Sequence, residues 1–321
     1  MTSAVSERAA ALVAERRERA EEIGRDLAEL TDEPDAFATA LREGLTSLAD
    51  PEYEAGQRRI APGIGKVLGV RWPLLAGVQR GFREATRRQR SGPFLVLADR
   101  LFRDEALEPR WFAFGLLERL VVDDPERSWQ LLRRAAREAG DWITVDSLAH
   151  PYGRGILIES YRWAELEQLV FSPSHWERRL VGSTIATIPF IERHLGRSPI
   201  VVEHGLPLVG QLMGDASPDV QKALAWALRS LTLVDLEATT RFCEEETARA
   251  TAGDDGHRAW VIRDTLPKLD PARAEPLRKS LAGIRRRPGA PSSSEAAATA
   301  ERFSSGAPTI DPATFPEPPL T

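Results

Sequence analysis

The sequence has few of the residues that metal and thiol enzymes need. Its only cysteine is Cys243, which excludes an internal disulfide and a cysteine-based metal cage. The five histidines lack the spacing of metal-ligand motifs, and the phosphate-loop, Rossmann, kinase and nucleophile-elbow signatures are missing as well. We therefore expect no metal and no cofactor. A single cysteine fits a reducing cytoplasm.

Long apolar runs are missing too. The apolar stretches are far shorter than the ~18 residues that a membrane span needs, and residues 1–22 are dense in charge, unlike a secretory signal. These absences predict a soluble protein without a membrane partner. With 321 residues, the chain is long enough to bury a sizeable core.

The hydrophobic pattern predicts helices almost throughout, with frequent turn signals and no convincing strand alternation. Most predicted helices are short, for example 142–150 and 153–163, and they fall into antiparallel pairs with apolar faces on both members. This pattern is typical of an α-solenoid of the HEAT or armadillo type. The predicted fold is therefore an all-α superhelix.

The composition divides the chain into three parts. We predict an N-terminal helical extension over 1–50, a HEAT-like repeat domain over 51–283, and a disordered tail over 284–321. The tail is rich in Pro, Ala and Ser and has too few apolar residues to offset the entropy of ordering.

Charge is distributed unevenly along a chain whose net charge is -5. Residues 57–90 contain nine Lys or Arg and a single acid, Glu84. This stretch is either a solvated helical face or part of a surface that binds an anionic partner. A second basic element on the same face would favour the binding surface.

The segment 141–190 carries the most informative side chains. Trp142 and Asp146 are four residues apart, so a helix places them on one face, and Arg179 follows Trp176 by three. An aromatic wall beside a carboxylate suits a cationic partner. The structural alternatives for Asp146 are a helix N-cap or a salt bridge to an arginine, and most of the eight tryptophans are expected in the core.

Four motifs in order resemble the DNA alkylation repair family of HEAT-like repeat glycosylases, the AlkD type. They are LGVRWP at 68–73, W-x-x-V-D-S at 142–147, W-x-R-R at 176–179 and QKALAWALR at 221–229. The resemblance covers roughly 57–269. It implies excision of N3- or N7-alkylated purines from duplex DNA by a monomer, through cleavage of the N-glycosidic bond without base flipping.

The resemblance also implies roles for individual residues. Asp146 would be the catalytic carboxylate, and Trp142 and Trp226 would be the aromatic walls around the lesion nucleotide. The implied DNA contacts are Arg71, Arg178, Arg179, Lys222 and Arg229, with Arg179 as a phosphate clamp. Ile143 and Ile60 depart from the family's pattern, which affects the expected lesion preference. The alternatives are a relative specialised for bulky purine adducts and a non-catalytic solenoid that binds protein or DNA.

Overall fold

The computed structural model describes residues 4–61 and 64–306, and these residues form helices joined by short turns. There are seventeen α-helices, three 3-10 turns and no strand in these two ranges, which confirms the predicted all-α class. The helices are α1 Ala4–Asp26, α2 Pro34–Ser47, α3 Pro51–Ile60, α4 Trp72–Ala85, α5 Ser91–Phe102, α6 Leu107–Asp123, α7 Pro125–Glu138, α8 Trp142–Ile158, α9 Arg162–Gln168, α10 His175–Ile191, α11 Arg193–Gly196, α12 Pro199–Leu212, α13 Pro218–Leu231, α14 Leu236–Gly253, α15 Gly256–Thr265, α16 Pro271–Ser280 and α17 Glu295–Gly306.

Proline and aspartate encode many of the helix starts. Proline suits a first helical residue because its φ is fixed and its missing N–H would have no partner there. The helices that begin on it start at Pro34, Pro51, Pro125, Pro199, Pro218 and Pro271. First-turn N–H groups of five helices donate to the carboxylates of Asp50, Asp141, Asp235, Asp255 and Asp270. Local sequence thus sets where these helices begin.

The helices stack in two layers, as the sequence predicted for a solenoid. Helices α4, α6, α8, α10, α13 and α15 pack side by side in chain order, and we call them the first layer. Helices α5, α7, α12, α14 and α16 lie against them as the second layer. The buried Leu, Val, Ile and Phe side chains of both layers form one continuous core. None of the described helices is both long and apolar enough to cross a membrane.

The N-terminal helix packs closely on the first layer. A Cβ on Gly24 would lie 2.0 Å from the carbonyl oxygen of Val78, and one on Gly81 would lie 2.0 Å from that of Glu21. Helices α1 and α4 therefore touch backbone to backbone, which only glycine allows. Asp50, at the predicted end of the N-terminal extension, caps α3.

Asp50 also joins α3 to the start of α4. Arg71 donates to its carboxylate from Nε at 2.8 Å, and the N–H of Glu52 donates at 3.0 Å. Burial raises the pKa of Asp50, but the hydrogen bonds from Arg71, Tyr53 and Glu52 outweigh burial, and the net pKa lies below its usual value. This ion pair holds the turn before α4 in place.

Helix α8 differs from the predicted pair of helices at 142–150 and 153–163. It runs without interruption from Trp142 to Ile158, with Pro151 inside it. The small residues after Pro151 permit close packing, since a Cβ on Gly153 would lie 2.6 Å from Ile191 Cδ1 and one on Gly155 would lie 2.8 Å from the Trp129 ring. Tertiary packing therefore overrides the local signal to stop the helix.

Part of the predicted disordered tail contacts the helices of the repeat domain. Arg286 lies over the Trp260 ring at 4.8 Å and donates to Gln221 at 3.0 Å, and the N–H of Ser293 donates to the carbonyl of Gly214 at 3.0 Å. These contacts order a segment that has few apolar residues of its own. Residues 307–321 lie outside the described residues.

Candidate active site

A cleft of about 390 Å³ opens on the first layer and contains three of the side chains that the sequence singled out. Trp142 and Asp146 reach it from α8, and Trp226 reaches it from α13. The other lining residues come from α4, α6 and α8: Trp72, Gln79, Trp111, Phe114, Gly115, Glu118, Ile143, Ser147, His150 and Pro151. The fold thus brings residues from four helices of the first layer together in one cleft.

Three hydrogen bonds fix the carboxylate of Asp146. Arg179 donates from Nε to Oδ1 at 3.0 Å and from Nη2 to Oδ2 at 2.7 Å, and Ser183 Oγ donates to Oδ1 at 2.6 Å. A two-point contact with a guanidinium is among the stronger and more directional ion pairs. The side chain of Asp146 still keeps 20% of its surface exposed. Asp146 is therefore both oriented and accessible.

The two structural alternatives for Asp146 have different outcomes. The cap of α8 is Asp141, whose Oδ1 accepts from the N–H of Thr144 at 2.8 Å, so Asp146 is not an N-cap. The alternative salt bridge is present, with Arg179 as its partner. Arg179 reaches Asp146 from α10, and Asp146 still lines the cleft.

The structure places Arg179, for which the resemblance implied a phosphate contact, against Asp146. Its side chain is only 6% exposed, and its remaining Nη1 donates to the carbonyl of Asp219 at 2.7 Å. Its guanidinium carbon lies 5.9 Å from the centre of the Trp142 ring. All three guanidinium nitrogens thus donate to protein oxygens, and two of them orient the carboxylate of Asp146. The phosphate contact stays a prediction.

Three further predicted DNA contacts are engaged in ion pairs within the protein. The pairs are Arg71 with Asp50, Arg178 with Asp215 and Arg229 with Asp264. Arg71 and Arg178 pair with nearly buried carboxylates and are 18% and 20% exposed, whereas Arg229 is 30% exposed. Their contacts with DNA stay predictions. Lys222 extends into solvent with 61% of its side chain exposed. Sequence spacing predicts which face of a helix a basic residue occupies, but it does not show whether an acidic residue from another segment pairs with it.

Two tryptophans of the cleft were not predicted to belong to a site. Trp111, assigned to the core by its type, is 9% exposed but lines the cleft, and Trp72 is 56% exposed. Their rings meet edge to face, with centroids 6.2 Å apart and planes at 82°. One sequence signal was available: Trp72 lies in the LGVRWP motif at 68–73, one of the four motifs that carry the resemblance.

A buried carboxylate holds the turn that presents Trp72. The side chain of Glu108 accepts the N–H groups of Leu68 at 2.9 Å, Gly69 at 2.8 Å and Val70 at 3.1 Å. Gly69 has a φ of 79°, a backbone conformation that glycine adopts without strain. This turn leads directly into α4, so Trp72 stands on a rigid support.

A second cavity, of about 530 Å³, adjoins the cleft and is lined by more arginines than acids, the acids being Glu118 and Asp123. The two cavities share Gln79, Gly115 and Glu118. Arginines from three helices of the first layer line the second cavity: Arg80, Arg83, Arg119 and Arg154. Arg119 and Arg154 lie outside the basic stretch 57–90 and provide the second basic element on the same layer. For the basic stretch 57–90, this arrangement favours a surface that binds an anionic partner over a solvated helical face.

The cationic surface continues past the end of α4. Arg87, Arg88 and Arg90 are exposed, and none of them has an acidic partner within the part of the chain that the structure describes. Within the same part, no group of three or more His, Cys, Asp or Glu side chains could hold a metal ion.

Comparison with known proteins gives one family. The model of a family described as DNA alkylation repair enzyme matches residues 41–258, about two thirds of the chain. The match includes every lining residue of the cleft, from Trp72 to Trp226. No curated protein matches the sequence.

Proposed function

The chain belongs to the family of DNA alkylation repair enzymes, and from that premise we propose that it is a DNA glycosylase. Its substrate is a cationic N3- or N7-alkylated purine in duplex DNA, and it hydrolyses the N-glycosidic bond without flipping the base. The observation that carries this proposal is the cleft in which an oriented, accessible Asp146 lies with Trp142 and Trp226.

The chemistry of the substrate explains why one carboxylate is enough. An alkylated purine already carries a positive charge and leaves as a neutral base when the electron pair of the C1′–N bond moves onto it. Positive charge then develops on the deoxyribose, and water adds at C1′ and loses a proton. A carboxylate fixed beside the sugar stabilises that charge most in the transition state. Asp146 is suited to this role because Arg179 and Ser183 orient it in advance.

The aromatic walls add to the stabilisation of positive charge. The faces of Trp142 and Trp226 attract a cation by about 1–2 kcal/mol each when water is displaced. Both rings are partly buried against the core, so they are held in place while one part of each faces the cleft. They would also exclude water from the side of Asp146 that faces the sugar.

The neighbouring cavity supports a nucleic acid as the ligand. Arg83, Arg119 and Arg154 line this cavity on the layer of the cleft, and the exposed Arg87, Arg88 and Arg90 follow in the turn after α4. These cations suit a phosphate backbone. Lys222 on α13 provides a cation beside Trp226. The net charge of -5 leaves the remaining surface acidic, which limits nonspecific adsorption to DNA.

A second candidate function is excision of bulky purine adducts by the same residues. The width of the cleft favours this candidate, because Trp72, Trp111 and Phe114 form a further apolar wall that a methyl group does not need. A non-catalytic solenoid is less well supported. Such a protein would have no use for a carboxylate held by three hydrogen bonds in an aromatic cleft.

The test is release of 7-methylguanine and 3-methyladenine from methylated duplex DNA. We expect release by the wild-type protein and about a thousandfold less by Asp146→Asn. Glu118→Gln is the comparison, because Glu118 is the other carboxylate of the cleft and lacks a short contact, with Arg154 at 3.9 Å. We expect a smaller loss there. Equal release by wild type and Asp146→Asn would remove Asp146 from its role.

A further inference from the structure

One wall of the cleft has no role in the chemistry above. Trp72 on α4 and Trp111 and Phe114 on α6 line the cleft together with Asp146, Trp142 and Trp226. The proposed reaction uses the carboxylate and the two rings on α8 and α13. The rings on α4 and α6 are therefore available to another part of the substrate.

The chemistry of this wall selects a planar, apolar group. More than half of the Trp72 side chain is exposed, although indole is among the largest apolar surfaces that a protein can bury. Its ring meets Trp111 edge to face, so one indole face remains free for stacking.

The wall is also rigid before any ligand arrives. Trp72 follows the turn that Glu108 anchors, and Pro73 fixes the first turn of α4. Trp111 is held within the core at 9% exposure. A surface that is already ordered loses little conformational entropy when a ligand binds, so its contacts contribute fully to affinity.

The duplex itself offers few groups that could reach this wall. Phosphates and sugars are neither planar nor apolar, and a base that remains stacked has its faces covered by its neighbours. A substituent on the damaged purine projects out of the stack and is free to enter the cleft. A cleft of about 390 Å³ is within the range of sites for small molecules.

We propose that Trp72 and Trp111 bind a planar aromatic substituent on the alkylated purine and so direct the enzyme toward aromatic adducts. This inference rests on the proposed glycosylase function, and it assigns Trp72 as a specificity-determining residue. The polar side chains between the two walls, Gln79 and Glu118, would face the linker between the purine and its substituent.

The experiment compares two lesions and two variants. Single-turnover excision is measured on duplexes that carry N7-methylguanine or N7-benzylguanine, with wild type, Trp72→Ala and Phe190→Ala. Phe190 is the matched control, since it is 54% exposed against 56% for Trp72 and lines neither the cleft nor the basic cavity. We expect Trp72→Ala to slow excision of the benzyl adduct roughly 5- to 100-fold, the range for loss of one stacking ring, and to leave the methyl lesion within about threefold of wild type.

Two results would overturn the proposal. One is an equal loss on both lesions, which would mean that Trp72 contacts DNA common to both. The other is an effect no larger than that of Phe190→Ala. Retention of benzyl excision by Trp72→Phe would support stacking, because phenylalanine keeps an aromatic face.

A measurement of DNA binding tests the role of Trp72 independently of glycosylase activity. If the wild type excises neither lesion, the glycosylase proposal fails, and fluorescence anisotropy of labelled duplexes still tests the aromatic wall. The expected result is tighter binding of the benzyl duplex than of the methyl duplex by the wild type, with the difference lost in Trp72→Ala. Identical affinities of the wild type for both duplexes would contradict the inference.

Discussion

The contact between Asp146 and Arg179 leads to an unusual prediction: a double variant should be more active than one of its single variants. Arg179 orients Asp146, but its positive charge also opposes a cation that develops in the cleft. In Asp146→Asn the attraction is lost and the opposition remains. Removing the Arg179 charge as well, in Asp146→Asn with Arg179→Gln, should therefore restore part of the lost rate.

Coulomb's law gives the magnitude. At an effective dielectric of about 20, a carboxylate ~4 Å from the sugar cation attracts it by ~4 kcal/mol. The guanidinium bonds to the far side of the carboxylate at 2.7 to 3.0 Å, which places it ~8 Å from the cation, where it repels by ~2 kcal/mol. Asp146→Asn thus loses ~4 kcal/mol, or about a thousandfold in rate. The double variant loses only ~2 kcal/mol, so it should be about 30-fold faster than Asp146→Asn.

The assay is single-turnover release of 7-methylguanine with protein in excess, corrected for spontaneous release from duplex without protein. Thermal unfolding of each variant checks that both changes leave the fold intact, because Arg179 is buried. A double variant as slow as Asp146→Asn, or slower, would refute the electrostatic reasoning. That result would instead support a direct contact of Arg179 with DNA, as the family resemblance implied.

Two further predictions concern DNA binding and stability. The double variant Arg87→Ala with Arg88→Ala should reduce the slope of log K for DNA binding against log salt by about 1.8, which corresponds to one phosphate for each side chain. Arg179→Gln should leave this slope unchanged. A slope that changes in Arg179→Gln and not in the double variant would mean that the DNA lies at Arg179 and away from Arg87 and Arg88. Asp50→Ala should lower the free energy of unfolding by about 3 kcal/mol, because it leaves Arg71 without its partner. Because the pKa of Asp50 is lowered in the folded protein, this contribution is complete above its unfolded pKa of about 3.9 and is lost as the pH falls through the lower folded value. Urea unfolding of wild type and Asp50→Ala between pH 7 and pH 3 measures it, and a constant difference over that range would contradict the assignment.

The sequence predicted the main features of the candidate site because they depend on helical periodicity. The spacing of Trp142 and Asp146 places both on one face of any helix that contains them, and both line the cleft. The motif around Trp226 indicated a third member on a later helix, which the stacking of α8, α10 and α13 brings alongside. Repeated short amphipathic helices were also sufficient to predict an all-α solenoid.

The arginines show what the sequence does not reveal. The resemblance implied DNA contacts for Arg179 and Arg71, and the structure adds for each an acidic partner that is distant in sequence: Asp146 is 33 residues before Arg179, and Asp50 is 21 before Arg71. Whether a cation is free or paired depends on the neighbouring helix. The uninterrupted α8 across Pro151 has the same kind of cause, since packing against α10 and α7 outweighs the local tendency to break.

The sequence by itself determined the fold class, most of the helices and the pair Trp142 and Asp146, because local periodicity and capping fix which residues share a helix face. Only the tertiary structure decided that Asp146 is held by Arg179 and Ser183, that Trp72 and Trp111 complete the cleft, and that residues 284–306 are ordered. Each of these depends on side chains far apart in the chain. These contacts form because of the way the helix layers stack, and no regular spacing in the sequence indicates them.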